Sequence, residues 1–283
     1  MPFKRSRFTT YLLVPLVFSA VAYIYFTPRS MSFQRVVESN SFFQPPTPPV
    51  SLFLGGTSGV GEAMATKLAR QTGGRAHIIL LGRNEEKAKQ ILQSWPKHEE
   101  GKAEFIKCDV GDLEQVRKVT KELREKLEKI NFIVLSPGLL SLKGFTPTKD
   151  GLDYKLQLHY FSRFRFAYDL IDLVEEAGKR EEKASVISIL HPGSGGQVIE
   201  DDLGIAKHYS LGNAARTAIT YNDIMVNVSF SPSSSIPWEA ESANTGIVSS
   251  LSAYFGPPYV SRFCSDANQQ RTSFSVVHGS VVV

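Results

Sequence analysis

Ser51-Leu52-Phe53-Leu54-Gly55-Gly56-Thr57-Ser58-Gly59-Val60-Gly61 is the stretch whose reading decides the fold. Val50–Leu54 is a short apolar run that stops at glycines, the signature of a buried strand. Past the glycines, Ala63, Ala65, Leu68 and Ala69 fall on one face of a helix predicted over Gly61–Gln71. A strand, a glycine loop spaced G-x3-G-x-G and a helix make the first turn of a dinucleotide-binding unit. Glycine is needed there for steric reasons. The turn uses unusual backbone angles, a pyrophosphate approaches the main chain, and the helix lies close to the strand. The helix N-terminus then offers N–H groups and partial positive charge to the phosphates.

The same alternation continues outward. Strands are predicted at Ala76–Leu81, Glu104–Lys107, Asn131–Leu135 and Ala184–Leu190. Helices are predicted at Glu85–Trp95, over the stripe Leu113, Val116, Val119, Leu123, Leu127 and Ile130, and at Leu152–Glu176 and Tyr209–Val226. Strands alternating with helices imply an α/β fold, a single Rossmann-type, doubly wound parallel sheet.

The chain has 283 residues, 42% of them hydrophobic, with 32 Lys+Arg against 28 Asp+Glu. That composition excludes a disordered chain. Two cysteines, Cys108 and Cys264, exclude a disulfide scaffold and a Cys-built zinc site, and no metal is expected. Three of the positive charges are Lys4, Arg5 and Arg7, so the body is nearly neutral, which argues against nucleic acid as a partner.

Residues 1–30 read as a tail and membrane helix. Phe8–Pro28 carries no charge over 21 residues, about 30 Å as a helix and the thickness of a bilayer core. The basic cluster before it would stay cytosolic and send the body to the lumenal side. The expected location is then single-pass in a membrane, as in the endoplasmic reticulum, with Asn227-Val228-Ser229 as a glycosylation sequon. Two other readings stay open. Ala20-Val21-Ala22 resembles a signal cleavage site, and translation from Met31 would leave a cytoplasmic protein. Residues 31–50 read as linker, stiffened by Gln44-Pro45-Pro46-Thr47-Pro48-Pro49. Residues 51–250 read as the dinucleotide-binding Rossmann domain, and 251–283 as a diverged tail.

Arg83 follows the second strand, 22 residues after Gly61. A carboxylate there would favour NAD; an arginine pairs with the 2′-phosphate of NADP. Asp109, after the third strand, is placed either to reach the adenine edge or to cap the third helix.

These residues, with Val37-Glu38-Ser39-Asn40, Gly82-Arg83-Asn84, Cys108-Asp109-Val110, Leu135-Ser136-Pro137-Gly138 and Tyr209-Ser210-Leu211-Gly212-Asn213-Ala214-Ala215, resemble the short-chain dehydrogenase/reductase family. More narrowly they resemble a fungal branch found in natural-product pathways. The resemblance runs from Met31 to Ile247. It implies NADP(H) held by Gly55, Thr57, Ser58, Gly59, Val60, Gly61, Arg83, Asn84, Asp109 and Gly138. It implies catalysis by Tyr209, Asn213 and Ser194, a small-molecule substrate and a homo-oligomer. The departures are specific. The family's N-A-G reads Ser136-Pro137-Gly138, its helix asparagine reads His159, and its serine position reads His191, with Ser194 following. The lysine of Y-x-x-x-K reads Asn213, which keeps a hydrogen-bonding group and loses the charge. Tyr209 and position 213 are expected one helical turn apart on a shared face. The function expected is an NADP-dependent oxidoreductase reducing a carbonyl of a small natural product. The alternatives are a non-catalytic NADP-binding scaffold or sensor, and membrane organisation without cofactor.

Overall fold

The computed structural model describes residues 33–189, 195–230 and 273–277. The chain divides into two units, Met1–Phe43 and Gln44–Val283. In the first, α1 spans Phe33–Ser41, inside the segment read above as linker. The sequence of α1 has neither proline nor glycine, so nothing interrupts a helix before Pro45. The run 8–28 lies outside the described residues. Among the described residues no helix is long and apolar enough to cross a membrane.

The second unit alternates as the periodicity predicts: β1 (Val50–Leu54), α2 (Gly59–Gln71), β2 (His77–Gly82), α3 (Glu85–Gln93), β3 (Lys102–Lys107), α4 (Leu113–Lys126) and β4 (Phe132–Leu135). A long helix α5 follows, built from Tyr154–Leu156, a π-helical turn Gln157–Phe161 and Ser162–Lys179. Then come β5 (Ser185–Ile189) and α6 (Leu211–Phe230). The strands lie in the order β3-β2-β1-β4-β5-β6, every pair parallel. Strand order reverses between β1 and β4, where Leu54 pairs with both Leu81 and Leu135. Ligands of such sheets bind beyond the carboxyl ends of the strands at that reversal.

Besides α1, two elements differ in their place or bounds from the sequence reading. β6 (Ser273–Val277) arises in the segment read as a diverged tail and pairs along β5. No motif marks it; only the open edge of β5 gives these five residues a partner. The last helix starts at Leu211 rather than Tyr209, because Ser210 takes the cap position. Its Oγ accepts the Asn213 N–H at 3.0 Å. Tyr209 therefore precedes the helix, and the expected helical-face relation with Asn213 does not form.

Alternate strand side chains divide two cores. Leu52, Leu54, Ile79, Leu81, Ile133 and Leu135 pack with α4 and α5 on one face. Phe53, Ile78, Leu80 and Val134 pack with Ala65, Ala69, Ile91 and Trp95 on the other. The proline-rich segment is pinned at the opposite end of the sheet from the site. Arg75 donates to the carbonyls of Pro45 and Pro46 at 2.9 Å each. Thr47 donates to Glu182 at 2.9 Å, beside the half-buried Lys129–Glu182 pair. Asn131 joins three strands there: its Oδ1 accepts from Val50 N at 2.9 Å and its Nδ2 donates to Lys183 O at 3.1 Å.

In the glycine loop the tightest approach is at Gly61. A Cβ there would stand 2.3 Å from Ser136 Oγ and 2.7 Å from Gly55 O. We expect Gly61→Ala to destabilise the protein by about 1–3 kcal/mol, the usual cost of forcing atoms into a packed site. Urea unfolding monitored by circular dichroism measures it; an unchanged midpoint would contradict this packing.

Candidate cofactor and active site

The loop after β1 folds back on the sheet. Gly55 N donates to Leu81 O at 2.9 Å and Gly56 N to Phe53 O at 3.1 Å. Gly55 and Gly59 have φ of 79° and 59°, a region where a side chain is disfavoured. The glycines serve different ends. Gly61 is required by the protein's own packing. At Gly59 a Cβ would meet nothing within 4 Å, so open space lies above the loop where α2 begins. Ser58 occupies the N-cap of α2 and makes no side-chain cap bond. The first turn is thus uncovered by a side chain and offers N–H groups to an anion. Thr57 stands behind the loop; a Cβ on Gly82 would lie 3.0 Å from its Oγ1. Open space over positive-φ glycine and an uncapped helix start fit a pyrophosphate.

Arg83 follows β2 and is exposed, and its Nη1 donates to Tyr154 OH at 2.9 Å. That bond holds the guanidinium on the rim at the carboxyl end of the sheet. Asn84 caps α3, its Oδ1 accepting from Lys87 N at 2.9 Å. Asp109 does not cap α4. It accepts from Gly111 N at 2.9 Å, while Asp112 accepts from Glu114 N at 3.0 Å and is the cap. Neighbouring Cys108 is buried, which pushes its thiol up to about 12. It is no nucleophile at neutral pH.

Past β4, Gly138 passes close to the π-helical turn, where a Cβ would stand 2.8 Å from His159 Cε1. His159 Nε2 lies 3.1 Å from Leu139 N and 3.2 Å from Leu139 O. Burial, helped by nearby Arg163, holds the imidazole below its ordinary pKa. The π turn is absent from a periodicity reading, because apolar spacing reports which residues face the core and not which carbonyl each N–H bonds. Its displaced carbonyl, His159 O, accepts from Asn222 Nδ2 at 2.8 Å. Arg163 is 2% exposed. It donates to Ser188 Oγ at 3.0 Å, Ile189 O at 2.6 Å and Pro137 O at 2.7 Å. Burial pushes its guanidinium down to about 9, still charged at neutral pH. Sequence reasoning missed Arg163 and Asn222, because each lies on a helix face that only packing turns inward.

Tyr209 is half-buried. Its hydroxyl donates to Lys143 O at 3.3 Å, and its ring meets Phe145 edge-on at 5.6 Å. Lys155 Nζ lies over the same ring, 5.2 Å from its centre. Sequence reasoning missed this lysine too; it is far from Tyr209 in the chain. Asn213 Nδ2 donates to His208 O at 2.8 Å and so braces the turn that carries Tyr209. His191 and Ser194 lie outside the described residues.

A model of the short chain dehydrogenase family matches residues 49–189. An oxidoreductase of Emericella nidulans is 31% identical over 69% of this chain and 57% of its own. An oxidoreductase of Emericella variicolor is 30% identical over 62% and 51%. A Streptomyces protein whose name assigns it to the C-13 ketoreductase step of daunorubicin is 28% identical over 59% and 55%. The chain thus spans little more than half the length of these three relatives.

The open space at Gly59 makes a direct test possible. We expect Gly59→Val to weaken NADPH binding by roughly tenfold or more, equivalent to about 1.4 kcal/mol. A branched side chain would project into the phosphate space and strain the backbone by a further ~1–2 kcal/mol. Fluorescence titration measures binding and circular dichroism confirms the fold. Unaltered affinity in a folded variant would make this an ordinary turn.

Proposed function

We propose that this chain, which belongs to the short-chain dehydrogenase/reductase family, is an NADP-dependent oxidoreductase that reduces a carbonyl of a small natural product. The observation that carries the reading is the glycine loop: positive-φ glycines, open space at Gly59 and an uncapped helix start at the reversal of strand order. The fungal relatives support an oxidoreductase, and the ketoreductase-named relative supports a carbonyl substrate.

In this proposal Gly55, Thr57, Ser58, Gly59, Val60 and Gly61 hold the pyrophosphate. Gly138 keeps the loop after β4 close, while Asn84 and Asp109 shape the adenosine end. Arg83 pairs with the 2′-phosphate, a charge-assisted contact that NAD cannot make. NADPH held by these residues would supply a hydride for the carbonyl carbon. Tyr209 donates its hydroxyl proton to the carbonyl oxygen, giving the alcohol, and regains a proton from water. Ser194 is the proposed partner of the substrate oxygen. Asn213 acts through the bond to His208 O, by which it steadies the Tyr209 turn.

Two substitutions test the two halves. NADPH should bind more tightly than NADH by ~1.5–3 kcal/mol, the worth of hydrogen bonds to charged groups. Arg83→Asp should abolish or invert that preference, and equal affinities in the unsubstituted protein would refute the NADP assignment. Tyr209→Phe should keep NADPH binding and lower reduction of any accepted ketone by ~10²-fold or more. Matching rates would move the proton source elsewhere. NADPH binding without turnover on a broad panel of ketones and aldehydes would favour the non-catalytic scaffold.

A further inference from the structure

The residue four positions after Tyr209 is neutral, and its side chain bonds the backbone of His208. A cation nevertheless reaches the phenol from another element. Lys155 stands in the first turn of α5 and is only 8% exposed. Its Nζ lies 5.2 Å from the centre of the Tyr209 ring. It also donates to Gly144 O at 3.1 Å and to Asp153 Oδ2 at 3.2 Å. Asp153 is fully buried and is itself fixed by Thr146 N at 3.0 Å and Lys155 N at 3.1 Å. The loop segment that holds the ammonium also holds the phenol, through Lys143 O and the Phe145 ring.

We propose that Lys155 is the positioning cation of Tyr209: it supplies from the start of α5 the positive charge that position 213 lacks. The inference rests on the reading of Tyr209 as proton donor. Burial opposes a charged Lys155, but the neighbouring Tyr209 phenol and the Asp153 carboxylate outweigh it and raise its pKa above the ordinary value. The ammonium therefore stays charged wherever the tyrosine works. An opposite charge at this range favours a phenolate. It thus stabilises Tyr209 after the proton has left and, in the reverse direction, readies it to accept one.

The other charged groups around the phenol are few. Asp153 is occupied by Lys155 and backbone N–H groups. Lys143 meets Tyr209 through its carbonyl. On the turn of Tyr209 itself, Lys207 and His208 donate backbone N–H groups to the buried Asp202, which also pairs with the His208 ring. Asp202 lies below its ordinary pKa; burial opposes this, and the bonds from His208 and Lys207 outweigh it. Arg216 is the cation further along α6.

The test is an alkaline titration followed by phenolate absorbance, in the unsubstituted chain and in Lys155→Met. Each is repeated with Tyr209→Phe, so that subtraction isolates Tyr209. We expect the Tyr209 phenolate to appear about one pH unit later without the lysine, and Lys155→Arg to return most of the shift. Under turnover, the rate–pH profile of alcohol oxidation with NADP should move to higher pH by a similar amount. At neutral pH that is a roughly tenfold loss in rate. Superimposable Tyr209 curves with and without Lys155 overturn the proposal. So does a lowered melting temperature with no movement of the curve, since that is all a structural lysine would give. If Lys155→Met does not fold, Lys155→Gln carries the same comparison. The titration needs no substrate, so a shift in a protein that turns nothing over sustains this inference while refuting the proposed reaction.

Discussion

Three segments meet at Gly61, and the absence of a side chain there lets them. Ser136 Oγ donates to Leu54 O at 2.9 Å, stitching the ends of β1 and β4. The helix that begins at Gly59 lies directly against that stitch. Any side chain at Gly61 would lift α2 from the sheet and carry its N-terminus away from the reversal of strand order. The end of the site proposed to face phosphate therefore depends on a contact between backbone atoms and one small hydroxyl. The glycines of the loop divide their work accordingly: Gly61 answers to the protein, Gly59 to what binds.

The part of the candidate site around the loop after β4 is organised by buried polar groups. Arg163 ties the loop after β4 to the end of β5 through Pro137 O, Ser188 Oγ and Ile189 O. Burying a charge costs several kcal/mol before its bonds are counted, and these three acceptors offset part of that cost. Asn222 adds a second bracket. From α6 its Oδ1 accepts from Ser188 Oγ at 3.0 Å, and its Nδ2 donates to His159 O in the π turn. The π turn thus has a structural partner on α6, and the two helices are locked with His159 facing the loop after β4.

Tyr209 is placed by this framework rather than by a helix of its own. It precedes α6, rests against Phe145 and the Lys143 carbonyl, and has Lys155 across its ring. Ser210 and Asn213 close the turn beneath it. A proton donor needs an electrostatic surrounding, and electrostatics act through space. The charge need not come from the same helix, provided that the fold brings one near and a carboxylate such as Asp153 compensates its burial.

Much of the fold was legible in one dimension. The alternation of apolar strands with 3.6-residue stripes specified β1 to β5 and the helices between them, because those patterns are written by burial on one face or two. The loop Gly55–Gly61 and its place at the carboxyl end of β1 were legible because only glycine tolerates such backbone angles and approaches. What could not be read were contacts between residues distant in sequence. The cap of α4 at Asp112 rather than Asp109, the π turn at Gln157–Phe161, the pairing of Ser273–Val277 with β5 and the α1 helix within an expected linker all depend on local geometry or on a partner strand. Arg163, Asn222 and Lys155 bear on the site only once α5 and α6 are packed. The residue pattern of this chain determined which side chains are apolar, rigid or small, and so its sheet and its phosphate loop. Tertiary packing alone decided which charges face the tyrosine, because distance through space, not separation along the chain, sets an electrostatic interaction.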